Sequence, residues 1–595
     1  MLNHSLKQEI TRRVLPWVQT PAQYIGGELN AVVKDHRQMR GTVCLAFPDR
    51  YEIGMSHHGL QVLYAVMNRR DDWACERAFA PGRDMEARLR EAKLPLVSLE
   101  TFTPLAEFDV LGFTLQYDLC ATNVLTMLDL GGIPLSAAQR TLDHPLVIAG
   151  GPCAFNPEPM AEFIDLFVLG DGEEMLPRVC QAWIELRGTL GNRDEALVRL
   201  AAELPHVYAP RFYAPPAGAG ATMPRALLAG LPERVEPAVV ADLDAVPLPT
   251  QPVVPFIDCV QDRIAIEIMR GCPNRCRFCQ STTIKRPLRY RKVETVVAAA
   301  LESYRTTGYH EVALLSLSTS DYPEFEPLMR RLQETFRPLG VSISVPSLRI
   351  NEQLRAIGDL LNTDRTSGLT LAPEAARDEM RRQVGKNIRN EDLYAGCRSA
   401  FEAGFQRVKL YFMCGLPGEQ QADLDGIIEM SEVISRLGKE VTGRYATVVA
   451  NVSNFVPRPH TPYQWHGMRR REYFQQAHRY LWERNRYRTI QVKCHDVDTS
   501  LLECVLARGD RRLSAVIETA WRRGARFDAW TEEFQPDRWW QALAESGIDL
   551  DTLVHADYAL DTPLPWDHIG IRQGRSYLEH EQARARELEF PECGG

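Results

Sequence analysis

Cys272, Cys276 and Cys279 lie in the run Met269-Arg-Gly-Cys-Pro-Asn-Arg-Cys-Arg-Phe-Cys-Gln280, a Cys-x3-Cys-x2-Cys spacing directly after the apolar stretch 264–269. Thiolates are the usual protein ligands of iron–sulfur clusters. Three of them in one short turn can each hold one iron of a 4Fe–4S cube, leaving the fourth iron open to a substrate or cofactor. An electron-transfer site would want a fourth cysteine, and a structural zinc site a fourth cysteine or a histidine at matching spacing. The nearest later candidates are Cys397 and His310, outside the turn.

The elements around the turn are those that such chemistry needs. Apolar strand-like runs at 264–269, 312–317, 341–345, 368–371, 408–413 and 447–455 alternate with helical patterns. Among these, residues 293–304 place Val293, Val296, Val297, Ala300, Leu301 and Tyr304 on one helical face. Six strand–helix units in about 200 residues predict a partial (β/α)6, TIM-like barrel whose loops at the C-terminal strand ends carry the chemistry. The three cysteines then fall in the loop after the first strand.

Ahead of it, residues 20–190 read as a doubly wound α/β domain, with strands at 42–47, 110–115, 146–149 and 166–169. Gly150 and Gly151, then Gly170 and Gly172, follow strand ends, where an open α/β sheet places its ligand crevice. Residues 204–255 read as an irregular connector rich in Pro, Ala and Gly. The barrel is expected over 256–465 and a mostly helical C-terminal region over 466–595, with Cys593 isolated near its end.

The cysteine turn, with Phe278 just before its third cysteine, resembles the signature of the radical S-adenosylmethionine (SAM) superfamily. That resemblance implies a 4Fe–4S cluster, SAM, and a one-electron reductant such as flavodoxin or ferredoxin. It also implies reductive cleavage of the sulfonium to a 5′-deoxyadenosyl radical that abstracts hydrogen from a substrate. Leu315-Ser-Leu-Ser-Thr-Ser-Asp321 follows the second strand where the superfamily often carries a Gly-Gly-Glu-like segment, making Ser318 and Asp321 candidate SAM contacts. Glu374, after the fourth strand, and Lys386, in Gly385-Lys-Asn, are further cofactor-binding candidates; a helix-terminal acid and a solvated lysine are the alternatives. Gly415-Leu-Pro-Gly-Glu419 matches a recurrent turn of these enzymes.

The N-terminal segments Asp109-Val-Leu-Gly-Phe-Thr114, Val147-Ile-Ala-Gly-Gly-Pro152 and Phe167-Val-Leu-Gly-Asp-Gly-Glu-Glu174 resemble the cobalamin-binding-like domain that precedes one branch of the superfamily. No Asp-x-His-x-x-Gly is present to give cobalt a histidine; His57 and His58 lack that pattern. Either cobalamin binds without a protein histidine, or the fold has lost its cofactor. With Tyr24-Ile-Gly-Gly-Glu-Leu-Asn30, Asn451-Val-Ser-Asn-Phe-Val-Pro457, Ala507-Arg-Gly-Asp-Arg-Arg512 and Pro565-Trp-Asp-His568, most of the chain is similar to a bacterial family that fuses such a domain to a radical core.

Bulk properties narrow the class. The 595 residues suffice for three or four domains, and fractions of 45% hydrophobic and 25% charged are ordinary for a globular protein. No apolar run is long enough to span a membrane. The 14 scattered cysteines form no disulfide framework, and free thiolates need a reducing compartment, so the cytoplasm is expected. A net charge of −9 argues against coating nucleic acid. Two basic runs, 270–292 and 469–488, the second interleaved with aromatics, leave RNA as a candidate partner. They also define the rival reading, an RNA-binding or redox-sensing iron–sulfur protein that does not cleave SAM. His460, His495, Glu503 and Asp510 are further polar residues that can shape a substrate cavity.

Overall fold

The strands expected from apolar runs form two groups of parallel sheet in a computed structural model, which describes residues 3–214, 223–344 and 368–588. Outside the described residues lie most of the Ala-Pro-Gly run of the connector, the end of the third core strand at position 345, and Cys593.

The first group holds β1 (Gly41–Phe47), β2 (Trp73–Phe79), β3 (Val110–Thr114), β4 (Leu146–Gly150), β5 (Leu166–Val168) and β6 (Val207–Tyr208), in the order β2-β1-β3-β4-β5-β6. The first five are parallel, and β6, from the connector, closes the edge antiparallel. Residues buried on both faces give near-continuous apolar runs, which is why four of these strands are visible in the sequence.

β2 is not, and the reason is two charges inside it. Glu76 and Arg77 are buried mid-strand. Arg77 donates to Glu100 at 2.6 Å and to Glu28 at 3.2 Å, while Ser98 and Thr101 hydroxyls donate to Glu76. Buried charges persist only when paired and hydrogen-bonded in this way. The order reverses between β1 and β3, so the crevice of this sheet opens at their C-terminal ends.

The second group is split. β7 (Ile264–Glu267), β8 (Glu311–Leu315) and β9 (Ser342–Ser344) make one sheet in the order β9-β8-β7. β10 (Leu369–Glu374), β11 (Arg407–Cys414), β12 (Thr447–Asn454) and β13 (Ile490–Cys494) make another in chain order. All these pairings are parallel, and no barrel closes among the described residues. The six expected core strands are present. β13 is an addition within the region read as mostly helical; its alternation of exposed Gln491 and Lys493 with more buried neighbours hides it among arginine-rich helices.

The helix α1 (His58–Asn68) buries Leu60, Tyr64 and Met67. α2 (Val293–Thr307) buries Val293, Val296, Val297 and Ala300, the face its periodicity predicts. Burying each valine contributes roughly 1.5–3 kcal/mol. The basic, aromatic run of residues 469–488 forms α3 (Arg471–Arg484), with Arg470 on Asp551, Arg471 on Asp498 and Arg484 on Asp425. α4 (Gly574–Glu587), the last described helix, returns to the cysteine loop.

Candidate active site

The cysteine loop leaves β7 and is gripped on two sides. Arg277 donates its backbone N–H to Val384 O at 2.9 Å and its guanidinium to Gln383 O at 2.6 Å, and pairs with Glu581 of α4 at 2.9 Å. Gly385 approaches so closely, at φ +75°, that a Cβ there would stand 2.5 Å from Arg275 O. Any other residue would push the loop away.

Within the loop the three cysteines line one cavity of about 230 Å³ together with Phe278, Glu374 and Lys386. Cys272 and Cys276 are 8% and 6% exposed. Asn274 donates to Cys272 Sγ at 3.3 Å, the kind of hydrogen bond that stabilises a thiolate. Burial pushes the Cys279 thiol up, so a bound metal is what would deprotonate it. No three His, Cys, Asp or Glu side chains among the described residues are arranged to hold a single ion. A cluster that gives each cysteine its own iron fits this donor set; a mononuclear site does not.

Glu374 ends β10 in the left-handed region, at φ +68°, next to a register shift in the β10–β11 pairing. A glutamate held there is strained by about 1–3 kcal/mol, a cost that tends to persist at working sites. Lys386 donates to it at 3.2 Å. Burial raises the Glu374 carboxyl above its ordinary range, and the lysine offsets part of that rise. Ser318 lines the same cavity and donates to Asp321 at 2.6 Å. Asp321 itself does not line it; Asn274 of the cysteine loop donates to its carboxylate at 3.4 Å, so its place is behind the wall.

A second cavity, of about 430 Å³, lies between the two groups of sheet. Gly150, Gly151, Gly170 and Gly172 line it from the first, and Glu267, Arg270 and Lys285 from the second. Gly151, at φ +107°, lies so near β3's exit that a Cβ would meet Leu115 O at 2.5 Å. Its glycine therefore serves the backbone as well as the cavity. The two cavities share Ser281 and Leu317 as walls.

Arg270 joins the halves. It donates to Asp171 at 2.9 Å, Glu173 at 2.6 Å and Glu267 at 2.9 Å, and Arg289 also pairs with Asp171. Burial would raise Asp171 and Glu267, but the guanidiniums outweigh it and hold both below the usual carboxylate range. Sequence reading placed Arg270 and Arg289 only in a basic run. Glu267 is three residues from Arg270, but their partners Asp171 and Glu173 lie about a hundred residues away, where spacing gives no signal.

His57 and His58 line the second cavity. His57 accepts the Leu60 N–H at 3.0 Å as the cap of α1, and burial lowers it to about 4. Both ring nitrogens of His58 are buried without a hydrogen-bond partner among the described residues. His460 is buried against Phe155 O at 2.9 Å, Glu503 lies 3.5 Å from Arg458, and Asp510 pairs with Arg512. Neither they nor His495 line either cavity.

Residues 266–431 match the Radical SAM superfamily, and residues 59–210 match the family described as Radical SAM proteins, N-terminal. The chain is therefore a radical SAM enzyme, a class that uses a 4Fe–4S cluster and SAM. More particularly, its N-terminal and core matches occur together along one relative. An uncharacterized protein of Methanocaldococcus jannaschii is 24% identical over 490 residues, 81% of this chain and 91% of its own length. A ribosomal protein uS12 methylthiotransferase, RimO, of Prochlorococcus marinus is 24% identical over 29% of this chain and 40% of its own. Among solved structures, the radical SAM methyltransferase TsrM of Kitasatospora setae, with cobalamin and a 4Fe–4S cluster bound, is 18% identical, covers 71% of this chain and 76% of its own, and gives a TM-score of 0.49. The cobalamin-dependent enzyme OxsB, with aqua-cobalamin and SAM bound, is 12% identical over 82% of this chain and 68% of its own, at a TM-score of 0.45. No helix among the described residues is long and apolar enough to cross a membrane.

Proposed function

We propose that SAM is bound and cleaved in the smaller cavity, and that the larger one takes a corrinoid, so that the enzyme transfers a methyl group to its substrate. The observation that carries this reading is the shared wall: Ser281 and Leu317 line both cavities. Bound together, the two cofactors supply a 5′-deoxyadenosyl radical and a methyl carrier.

The chain's residues divide the work. Cys272, Cys276 and Cys279 hold the cluster, and Phe278 backs it by packing into the apolar group of Met380, Leu416 and Phe455. Glu374 accepts from the ammonium of SAM, with Lys386 fixing its carboxylate. Ser318 offers a hydroxyl on the same side, held by Asp321. In the larger cavity the glycine floor allows close approach of a flat ligand, and Lys285, whose ammonium makes no hydrogen bond with any described residue and is pushed down by burial, faces that ligand. With His57 committed to the cap of α1 and the ring nitrogens of His58 buried at the cavity wall, the corrinoid is held without a protein imidazole.

The test uses hydroxocobalamin and the full chain. Wild-type protein is expected to retain about one equivalent through gel filtration, with an electron paramagnetic resonance spectrum after reduction that lacks nitrogen coupling from the protein. Gly112 lines the floor with an ordinary backbone, and a Cβ there meets Leu45 and Ile148 only at normal contact distances. Gly112→Leu should therefore fill the cavity without unfolding the sheet and weaken retention at least about tenfold. Failure of the wild type to bind would remove the corrinoid from this account.

A further inference from the structure

The inner face of the β10–β13 sheet is built unlike a barrel interior. Along β11, Val408, Leu410, Phe412 and Cys414 are buried while Lys409 and Tyr411 are exposed, Tyr411 to 40%. Tyr411 pairs with Asn451, and Asn451 with Lys493. Met413 pairs with Ser453, and Val449 with Gln491. Side chains paired across neighbouring strands point to the same face, so Lys409, Tyr411, Asn451, Ser453, Gln491 and Lys493 share one surface. Barrels ordinarily fill that surface with Val, Ile and Leu. Here the six polar side chains make no hydrogen bond or ion pair with any described residue.

Charge and position say what would fill it. On this face β11, β12 and β13 carry Arg407, two lysines and no acid, in a chain whose net charge is −9. Tyr411 and Lys493 stand level, two strand spacings or about 10 Å apart, with Asn451 between them and Lys409 one pleat below Tyr411. Two ammoniums, a phenol and an amide therefore project from one patch of this face. The patch leads to the cluster cavity, since Met413 packs in the same apolar group as Phe278, and Ala372 of β10 lines that cavity.

We propose that this face binds the substrate of the radical reaction through an anionic group, a phosphate or a carboxylate, held by Lys409 and Lys493 with Tyr411 and Asn451 donating beside them. The proposal rests on the function given above and adds the class of substrate. A ligand seated here presents its remainder to the cavity where SAM is cleaved.

Calorimetric titration of the cluster-loaded full chain at low salt, with inorganic pyrophosphate and separately with citrate, tests it. Wild-type protein should bind at least one of the two, and the one bound identifies phosphate or carboxylate as the recognised group. Lys409→Ala/Lys493→Ala should bind at least about tenfold more weakly, the worth of a charge-assisted hydrogen bond. Lys409→Gln/Lys493→Gln, which keeps most of the side-chain length and loses the charge, should behave the same way. Equal affinity in the wild type and both double variants, or no binding of either anion by the wild type, would overturn the proposal. SAM cleavage by the wild type, assayed without either anion, reports on the proposed function alone, so the two can fail separately.

Discussion

Cys276→Ala is expected to abolish both the visible charge-transfer absorption of the reconstituted protein and its formation of 5′-deoxyadenosine, while leaving the protein folded. The reason is ligand number. With two thiolates the loop can no longer hold three irons of a cube, and the Glu374 carboxylate that lines the same cavity is held by Lys386. The contacts that grip the loop are backbone atoms of Arg277 and Val384, the Arg277 guanidinium and Glu581. Alanine fills nearly the same space at a position 6% exposed. Far-ultraviolet circular dichroism and thermal unfolding of the apo protein should therefore match the wild type within about 1 kcal/mol. Retained cleavage activity in this variant would separate the chemistry from the cysteine loop.

The second large effect is on stability. Arg270→Ala removes the one cation shared by Asp171, Glu173 and Glu267, all poorly exposed, and leaves buried carboxylates facing each other across the junction of the two sheets. Removing one partner of such a buried network costs about 3–5 kcal/mol, read by urea unfolding at neutral pH. The pH dependence has a definite sign. In the wild type the folded-state pKa values of Asp171 and Glu267 are depressed. Their contribution is present above the unfolded carboxylate range of about 4 and is lost as pH falls through the folded values. In the variant, burial is left with less to oppose it, those pKa values rise, and the neutral-pH penalty shrinks once the groups protonate. The gap between wild type and variant should thus be widest near neutrality and narrow towards about pH 4. A constant gap across that range would mean that the latch acts by packing and not by charge.

How much of this was legible in the sequence depended on how local each feature is. The cysteine loop is a ten-residue object, and its spacing and the apolar strand before it are both visible. The buried parallel strands announce themselves as apolar runs, except β2, where Glu76 and Arg77 interrupt the run because their partners Glu28, Ser98 and Glu100 come from elsewhere. Glu374 and Lys386 were each readable as candidates, but their contact spans 12 residues and a strained strand end that no periodicity encodes. Asp321 is a candidate because it follows a strand; that Ser318 and Asn274 donate to it is not readable from the spacing. The shared wall at Ser281 and Leu317, and the polar face through Lys409 and Lys493, depend on register and on the meeting of two sheets. Those are tertiary facts.

The central claim is that the three cysteines leave one iron open for SAM beside Glu374. Electron paramagnetic resonance of the anaerobically reconstituted, dithionite-reduced wild-type protein, recorded with and without SAM, tests it most directly. The account predicts a reduced-cluster signal whose g-values shift when SAM is added. A fully loaded cluster whose spectrum is unchanged by saturating SAM would contradict it.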